Sequence, residues 1–184
     1  MFFFWKLYDI CQDGFGAVDN LLFSLFRCIL FCMIDNVDKI ILQALQENAR
    51  ISNADLARGA GLSPSAILTR VKRLEEQGYI DEYAARINRQ LVGYDMLCFV
   101  GVSLQRHEIT QVSEFDDAIA KIPEVLECHH VTGDYDYLLK VIAKNTADLE
   151  QFLIHVLTPI KGVSRIHTSV VLSEVKASTA LPIS

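Results

Sequence analysis

Two carboxylates stand close together in "VTGDYDYLLKV", residues 131–141: Asp134 and Asp136, beside Gly133 and alternating with Tyr135 and Tyr137. Paired acids near a turn can form an acid–base couple, a hard-metal site or a recognition loop. As a catalytic couple these two lack a companion nucleophile or base. As a metal site they lack further oxygen or nitrogen ligands nearby. As a recognition loop they make physical sense. Backbone amides around Gly133 can hold a carboxylate, and an aspartate can hold an ammonium group. An amino acid carries both charges, so Thr132, Gly133, Asp134, Tyr135 and Asp136 form a candidate recognition loop for such a molecule. The competing reading is turn chemistry: Gly-Asp is common in hairpin turns, and tyrosines are ordinary strand residues.

A second cluster, Cys128-His129-His130, raises the question of metal. Neighbours on a strand point to opposite faces, so only Cys128 and His130 share a side. Two ligands are too few without help from His107, His155 or His167, and packing or an interface is the expected role, with a pocket lining by His129 or His130 as the alternative. The five cysteines include no CxxC pair, which argues against a disulfide framework or four-ligand zinc site and fits a reducing cytosol. Cys98, within an apolar strand, reads as a small buried hydrophobe. No Ser-His-Asp set, P-loop or dinucleotide fingerprint is present. No catalytic residue, metal or cofactor is expected.

The elements that must position the loop come next. "MLCFVGVSL" (96–104) is a strand by its β-favouring residues. Val112, Phe115, Ile119 and Ile122 mark a helix ending at Pro123. "VLECHHVT" and "YLLKVIA" are two strands joined across Gly133-Asp134. Thr146 can cap a helix burying Leu149, Phe152, Leu153, Val156 and Leu157, and "VSRIHTSVVL" is the last strand. The order β-α-β-β-α-β is the ferredoxin-like signature. Its sheet carries both helices on one face, so the other face needs cover, which predicts sheet-to-sheet dimerisation.

The preceding stretch is helical. Val37, Ile40, Ile41, Ala44 and Leu45 follow helical spacing, with Asp35 or Asn36 as cap and an end near Asn48. Ser52 with Asp55 resembles a capping box for a short helix stopping at Gly61. Ser63-Pro64 opens the next, with a hydroxyl cap and proline where no amide is needed. Ile67, Val71 and Leu74 are its buried stripe, and Gly78 ends it. "YIDEYAARIN" (79–88) alternates enough for a short strand pair or wing. Asn53–Lys72 is thus a helix-turn-helix, whose second helix would show a polar face to the major groove. Asn53, Ser63, Ser65, Thr69, Arg70, Lys72 and Arg73 are the candidate DNA contacts, arginine suiting guanine or phosphate. Periodicity alone leaves a trihelical unit with a solvated charged face as an equal reading, since Glu75 and Glu76 follow the basic residues.

The motifs carry a resemblance. "ENARISNADLARGAGLSPSAILTRVKRLEEQGYI" resembles the N-terminal domain of the Lrp/AsnC family. "PEVLECHHVTGDYDYLLKV" is similar to its effector-domain signature, and "EVKASTALPI" to its closing segment. The resemblance runs from about Met33 to the end. It implies a DNA-binding regulator that senses a small molecule, usually an amino acid, at the 132–136 loop between subunits of neighbouring dimers. It also implies homodimers that assemble into tetramers or octamers. Many members carry a second proline and a cysteine after Ser-Pro. Here Ala66, Ile67 and Leu68 follow Ser65, which bears on the operator sequence and not on the fold.

Bulk properties set the frame. The 184 residues are 51% apolar and 22% charged, with net charge -6 and pI ≈ 5.3, a globular composition without a uniformly basic coat for nucleic acid. Residues 1–32 stand apart. "LLFSLFRCILFCMI" carries Arg27 mid-run and falls short of the ~20 apolar residues a membrane span needs. An aromatic start and the acids Asp9, Asp13 and Asp19 do not suit a signal peptide. The expectation is upstream sequence read from an early start codon, with a folded extension or a surface helix as alternatives.

The expected architecture is α+β. A hydrophobic extension (1–32) precedes a three-helix winged helix-turn-helix (33–94) and a ferredoxin-like sensing and dimerisation domain (95–184). Its partners are double-stranded DNA, a small effector and further copies of itself, in the cytoplasm and with no membrane. Two rival classes remain. One is a sensing or assembly module that does not bind DNA, and the other is a small metal-binding or enzymatic ferredoxin-like protein.

Overall fold

The computed structural model describes residues 34–105 and 109–183, so the expectations for residues 1–32 fall outside the described residues. The chain divides after Tyr83 into two units, earlier than the 94/95 boundary expected from sequence, and the segment from Thr179 belongs to the first. Residues 89–95 sit with the second unit for a visible reason. The Arg89 guanidinium donates to the carbonyls of Tyr94 and Asp95, and pairs with Glu174 at 3.8 Å.

The first unit holds α1 (Asn36–Glu47), α2 (Asn53–Ala60) and α3 (Pro64–Glu76). Each start is a side-chain oxygen replacing a missing helical partner. Asp35 accepts from the Asp38 amide at 2.8 Å, and Asp38 accepts in turn from the Asp35 amide at 3.0 Å, a full capping box. Ser52 makes half a box: its hydroxyl accepts the Asp55 amide but donates to the Asp55 carboxylate at 2.7 Å. At the end of α3, Gly78 turns left-handed at φ 73. The amides of Gly78 and Tyr79 then close back on the carbonyls of Glu75 and Leu74, the pairing of a Schellman stop. Ile41, Ile67 and Leu74 are wholly buried where the helices meet. The tail completes this unit. The Gln46 amide group clasps both the N–H and the carbonyl of Leu181, Gln43 donates to the Ile183 carbonyl, and Ile183 packs on the helical core.

One local expectation is corrected. Residues 81–88 form no strand pair; they are exposed, with no ladder partner among the described residues. Alternation supplies a pleat, but a strand needs a neighbour to bond to.

The second unit holds β1 (Met96–Leu104), α4 (Ile109–Ile119), β2 (Val125–His130), β3 (Tyr137–Ala143), α5 (Thr146–Gln151) and β4 (Val163–Val170). The sheet order β2-β3-β1-β4, antiparallel throughout, is the ferredoxin-like arrangement. Asn145, not Thr146, caps α5 by accepting the Asp148 amide at 3.0 Å, while Asp148 reaches back to the Lys144 amide. The helix continues as a π-helical turn, Phe152–Leu157. The wider i→i+5 winding brings Phe152 and Leu157, five apart, onto the core side together. Cys98, Val100, Val102, Tyr137, Leu139 and Val141 meet Phe115 and Leu149 in that core.

The other sheet face carries Leu97, Phe99 and Gly101 of β1. Gly101 is there for space. A Cβ on it would stand 2.6 Å from Cγ of Tyr135, whose ring lies across this strand and stacks on His167 at 5.6 Å. Gly101→Ala must push that ring away. Overpacking of this kind costs about 1–3 kcal/mol, partly offset by the lower chain entropy of alanine. Urea unfolding is expected to show a net loss for Gly101→Ala that Tyr135→Ala on the same chain relieves. A Gly101→Ala protein as stable as the parent would mean the ring is not held there.

Candidate functional site

The helix-turn-helix is built by α2, a left-handed turn at Gly61 (φ 67) and α3. Ser63 starts α3 by accepting the Ala66 amide at 3.3 Å, with Pro64 at the first helical position. Ile67, Val71 and Leu74 bury one stripe. Helical spacing puts Ser65, Leu68, Thr69 and Lys72 on the opposite side, and all four are exposed. Thr69 returns its hydroxyl to the Ser65 carbonyl at 3.1 Å, and the hydroxyls of Ser63 and Ser65 lie 3.1 Å apart. Asn53 is exposed at the first turn of α2.

The two arginines named from sequence go elsewhere. The Arg70 guanidinium bonds Asp35 at 2.7 Å and Asp38 at 2.9 Å, and that of Arg73 bonds Asp38. The Asp38 side chain is 1% exposed, against 28% for Arg70 and 36% for Arg73. Asp38 thus takes three donors: the Asp35 amide and both arginines. The sequence reading gave these arginines to DNA, whereas the structure turns them toward α1. The Asp38 amide above all holds the Asp35 carboxyl below its ordinary 3.8; burial, the next effect in size, opposes it, and Arg70 adds to the lowering. Asp35, ahead of Asp38, raises the Arg70 guanidinium further above its ordinary value. Sequence reasoning missed Asp38, although the signal was there. It falls in the apolar stripe Ile34, Ile41, Leu45, and a carboxylate in a buried stripe demands a cation.

The second candidate is the loop between β2 and β3. Thr132, Gly133 and Asp134 are exposed, and Tyr135 and Asp136 are half-buried. Gly133 sits at φ 124, a region closed to residues with a Cβ. Asp136 ties the loop to the end of β1: its carboxylate accepts the Leu104 amide at 2.7 Å and its own amide donates to the Val102 carbonyl. The two aspartates therefore differ. Asp134 points outward, while Asp136 is engaged with the strand. A groove of about 660 Å³ opens near Leu97, Lys140 and Val171, and no loop residue lines it.

Cys128 and His130 share the helix-facing side, opposite Leu139 and Tyr137. Burial, then the charge of Asp116, push the Cys128 thiol up to about 11, so it is protonated at neutral pH and a poor nucleophile. His130 stacks on Tyr137 at 4.9 Å, and His129 leans on Glu127 at 3.3 Å. Among the described residues no three His, Cys, Asp or Glu side chains converge. No helix of the described residues is long and apolar enough to cross a membrane.

Known proteins match both units. A family described as winged helix-turn-helix DNA-binding matches residues 34–81, and the Lrp/AsnC ligand binding domain matches residues 97–181. The leucine-responsive regulatory protein of Klebsiella pneumoniae is 40% identical over 150 residues, covering 82% of this chain and 92% of that protein. The chain belongs to the Lrp/AsnC family. The Escherichia coli K12 leucine-responsive regulatory protein matches to the same extent. A Neisseria meningitidis transcriptional regulator solved with L-methionine superposes with TM-score 0.78 at 37% identity, over 82% of this chain and 97% of that one. E. coli AsnC superposes with TM-score 0.75 at 31% identity, over 82% and 99%. As an Lrp/AsnC protein, this chain is a DNA-binding transcriptional regulator of winged helix-turn-helix and ferredoxin-like architecture.

Asp38→Ala removes the acceptor of two inward-turned guanidinium groups. Removing one partner of a buried ion pair costs about 3–5 kcal/mol, less where the orphaned charge can reach water as these arginines can. The first unit is expected to lose about 2–4 kcal/mol in denaturant unfolding, and Asp35→Ala less. The acid limb has a definite sign. The lowered Asp35 carboxyl contributes stability above its ordinary 3.8 that is lost as pH falls through its lower folded value. Unfolding titrations with and without Asp35→Ala should diverge above about pH 4 and converge in stronger acid; parallel curves across that range would remove Asp35 from the account.

Proposed function

We propose that this regulator senses an amino acid at the 132–136 loop and works as a dimer joined through the open sheet face. Larger assemblies, a cytoplasmic location and a purely regulatory, non-enzymatic role complete the reading. The observation that carries it is the loop itself. Gly133, exposed at φ 124, offers a turn whose backbone amides suit a carboxylate, and the exposed Asp134 beside it suits an ammonium group. The N. meningitidis relative was solved with L-methionine, and other relatives are named for leucine, which supports this ligand class for the present chain. On the DNA side, Ser63, Ser65, Thr69 and Lys72 face outward from α3. Arg70 and Arg73 contribute by setting its pose against α1.

Calorimetry across the twenty amino acids is the test. At least one is expected to bind. Asp134→Ala should weaken it about ten- to hundredfold, the worth of a charge-assisted hydrogen bond. Gly133→Trp should abolish it. Binding by none, or binding that ignores both changes, would falsify the sensor assignment.

The dimer has its own readout. Phe99 is 39% exposed in the middle of the open face, and Phe99→Glu would set two like charges against each other across a two-fold interface. Sedimentation should show smaller species for that variant than for the parent. An unchanged distribution would move the interface off this face.

A further inference from the structure

We propose that Leu68 reads the 5-methyl group of thymine in the major groove, which weights the operator toward A·T pairs at that step. The inference rests on α3 being the DNA-reading helix. Ser65, Leu68, Thr69 and Lys72 form one stripe at i, i+3, i+4 and i+7, on the side of α3 away from Ile67, Val71 and Leu74. Three of the four are polar. Leu68 is 43% exposed and takes no part in the buried core of the unit. One exposed leucine is ordinary on a protein surface. Its surroundings make this one informative. The guanidinium groups that would otherwise seek guanine are held by Asp35 and Asp38. The outward stripe therefore carries two hydroxyls, one ammonium group and one branched apolar tip. In the major groove the only apolar feature a base pair presents is the thymine methyl. Ser65, Thr69 and Lys72 can hold hydrogen-bonding edges and phosphates, and the methyl is what remains for Leu68.

Deoxyuridine removes that methyl and nothing else. A duplex is first selected from a random pool by the full-length protein, and its thymines are replaced by deoxyuridine one at a time. Affinities are measured by fluorescence anisotropy at one salt concentration. The parent is expected to lose about fourfold at one thymine per half-site, the worth of a buried methyl. Leu68→Ala should bind the unmodified duplex about fourfold more weakly per half-site and show no further loss at that position. Leu68→Met, which keeps an apolar tip, should retain the sensitivity. Neither variant should change the slope of affinity against salt, whereas Lys72→Ala should flatten it. Thermal melts check that the exposed substitutions leave the fold intact. The proposal is overturned if no single replacement weakens the parent, if Leu68→Ala keeps the parent's deoxyuridine profile, or if the selected half-site holds no thymine. Failure of the parent to retain any duplex would instead sink the reading of α3 itself.

Discussion

A carboxylate taken out of water must be given its hydrogen bonds back by the protein, and Asp38 is the place where the first unit meets that demand. Its oxygens take the Asp35 amide and both arginines of α3. The same side chain therefore starts α1 and fixes the angle at which α3 leaves it. Two helices distant in sequence share one charge balance, and neither can rotate about its axis without exposing a buried ion. The inward turn of Arg70 and Arg73 follows from it. So does the character of the outer face of α3, which keeps hydroxyls, one lysine, one leucine and, in the last turn, Glu76.

The second unit solves a different problem. Its sheet buries one face under α4 and α5 and leaves the other with mixed residues. Tyr135 belongs to the loop by sequence and to that open face by contact, because Gly101 leaves room for its ring beside His167. Asp136 holds the loop to β1 while Asp134 stays outside. A ligand at Gly133 would thus act two residues from an aromatic ring that forms part of the open surface. Between loop and face there is a single side chain, with no long relay needed.

Much of this was readable before any coordinates. The helix-turn-helix followed from Ser63-Pro64, Gly61 and Gly78, because caps and stops are local chemistry. The β-α-β-β-α-β order followed from alternation and apolar runs, and the loop from Gly133-Asp134. What was not readable depends on partners distant in sequence. Arg70 and Arg73 read as unpaired cations until Asp38 is seen beneath them. The pattern in 79–88 suggests strands, yet among the described residues no strand pairs with it. Gly101 looks like a weak point in a strand until Tyr135 is found lying over it. Asn145 displaced Thr146 as a cap by a one-residue shift, the margin at which local signals compete. Asp134 and Asp136 could not be told apart in sequence, and it is the end of β1 that separates them.

The clasp of Gln46 on Leu181 has a consequence in time. A ribosome makes α1, α2 and α3 before the sheet, but the chain segment that finishes their packing, with Ile183 on the helical core, emerges only after it. The unit begun first is completed only after every strand of the sheet has been synthesised. The sensing half thus has the opportunity to fold before the DNA-binding half holds all of its own contacts.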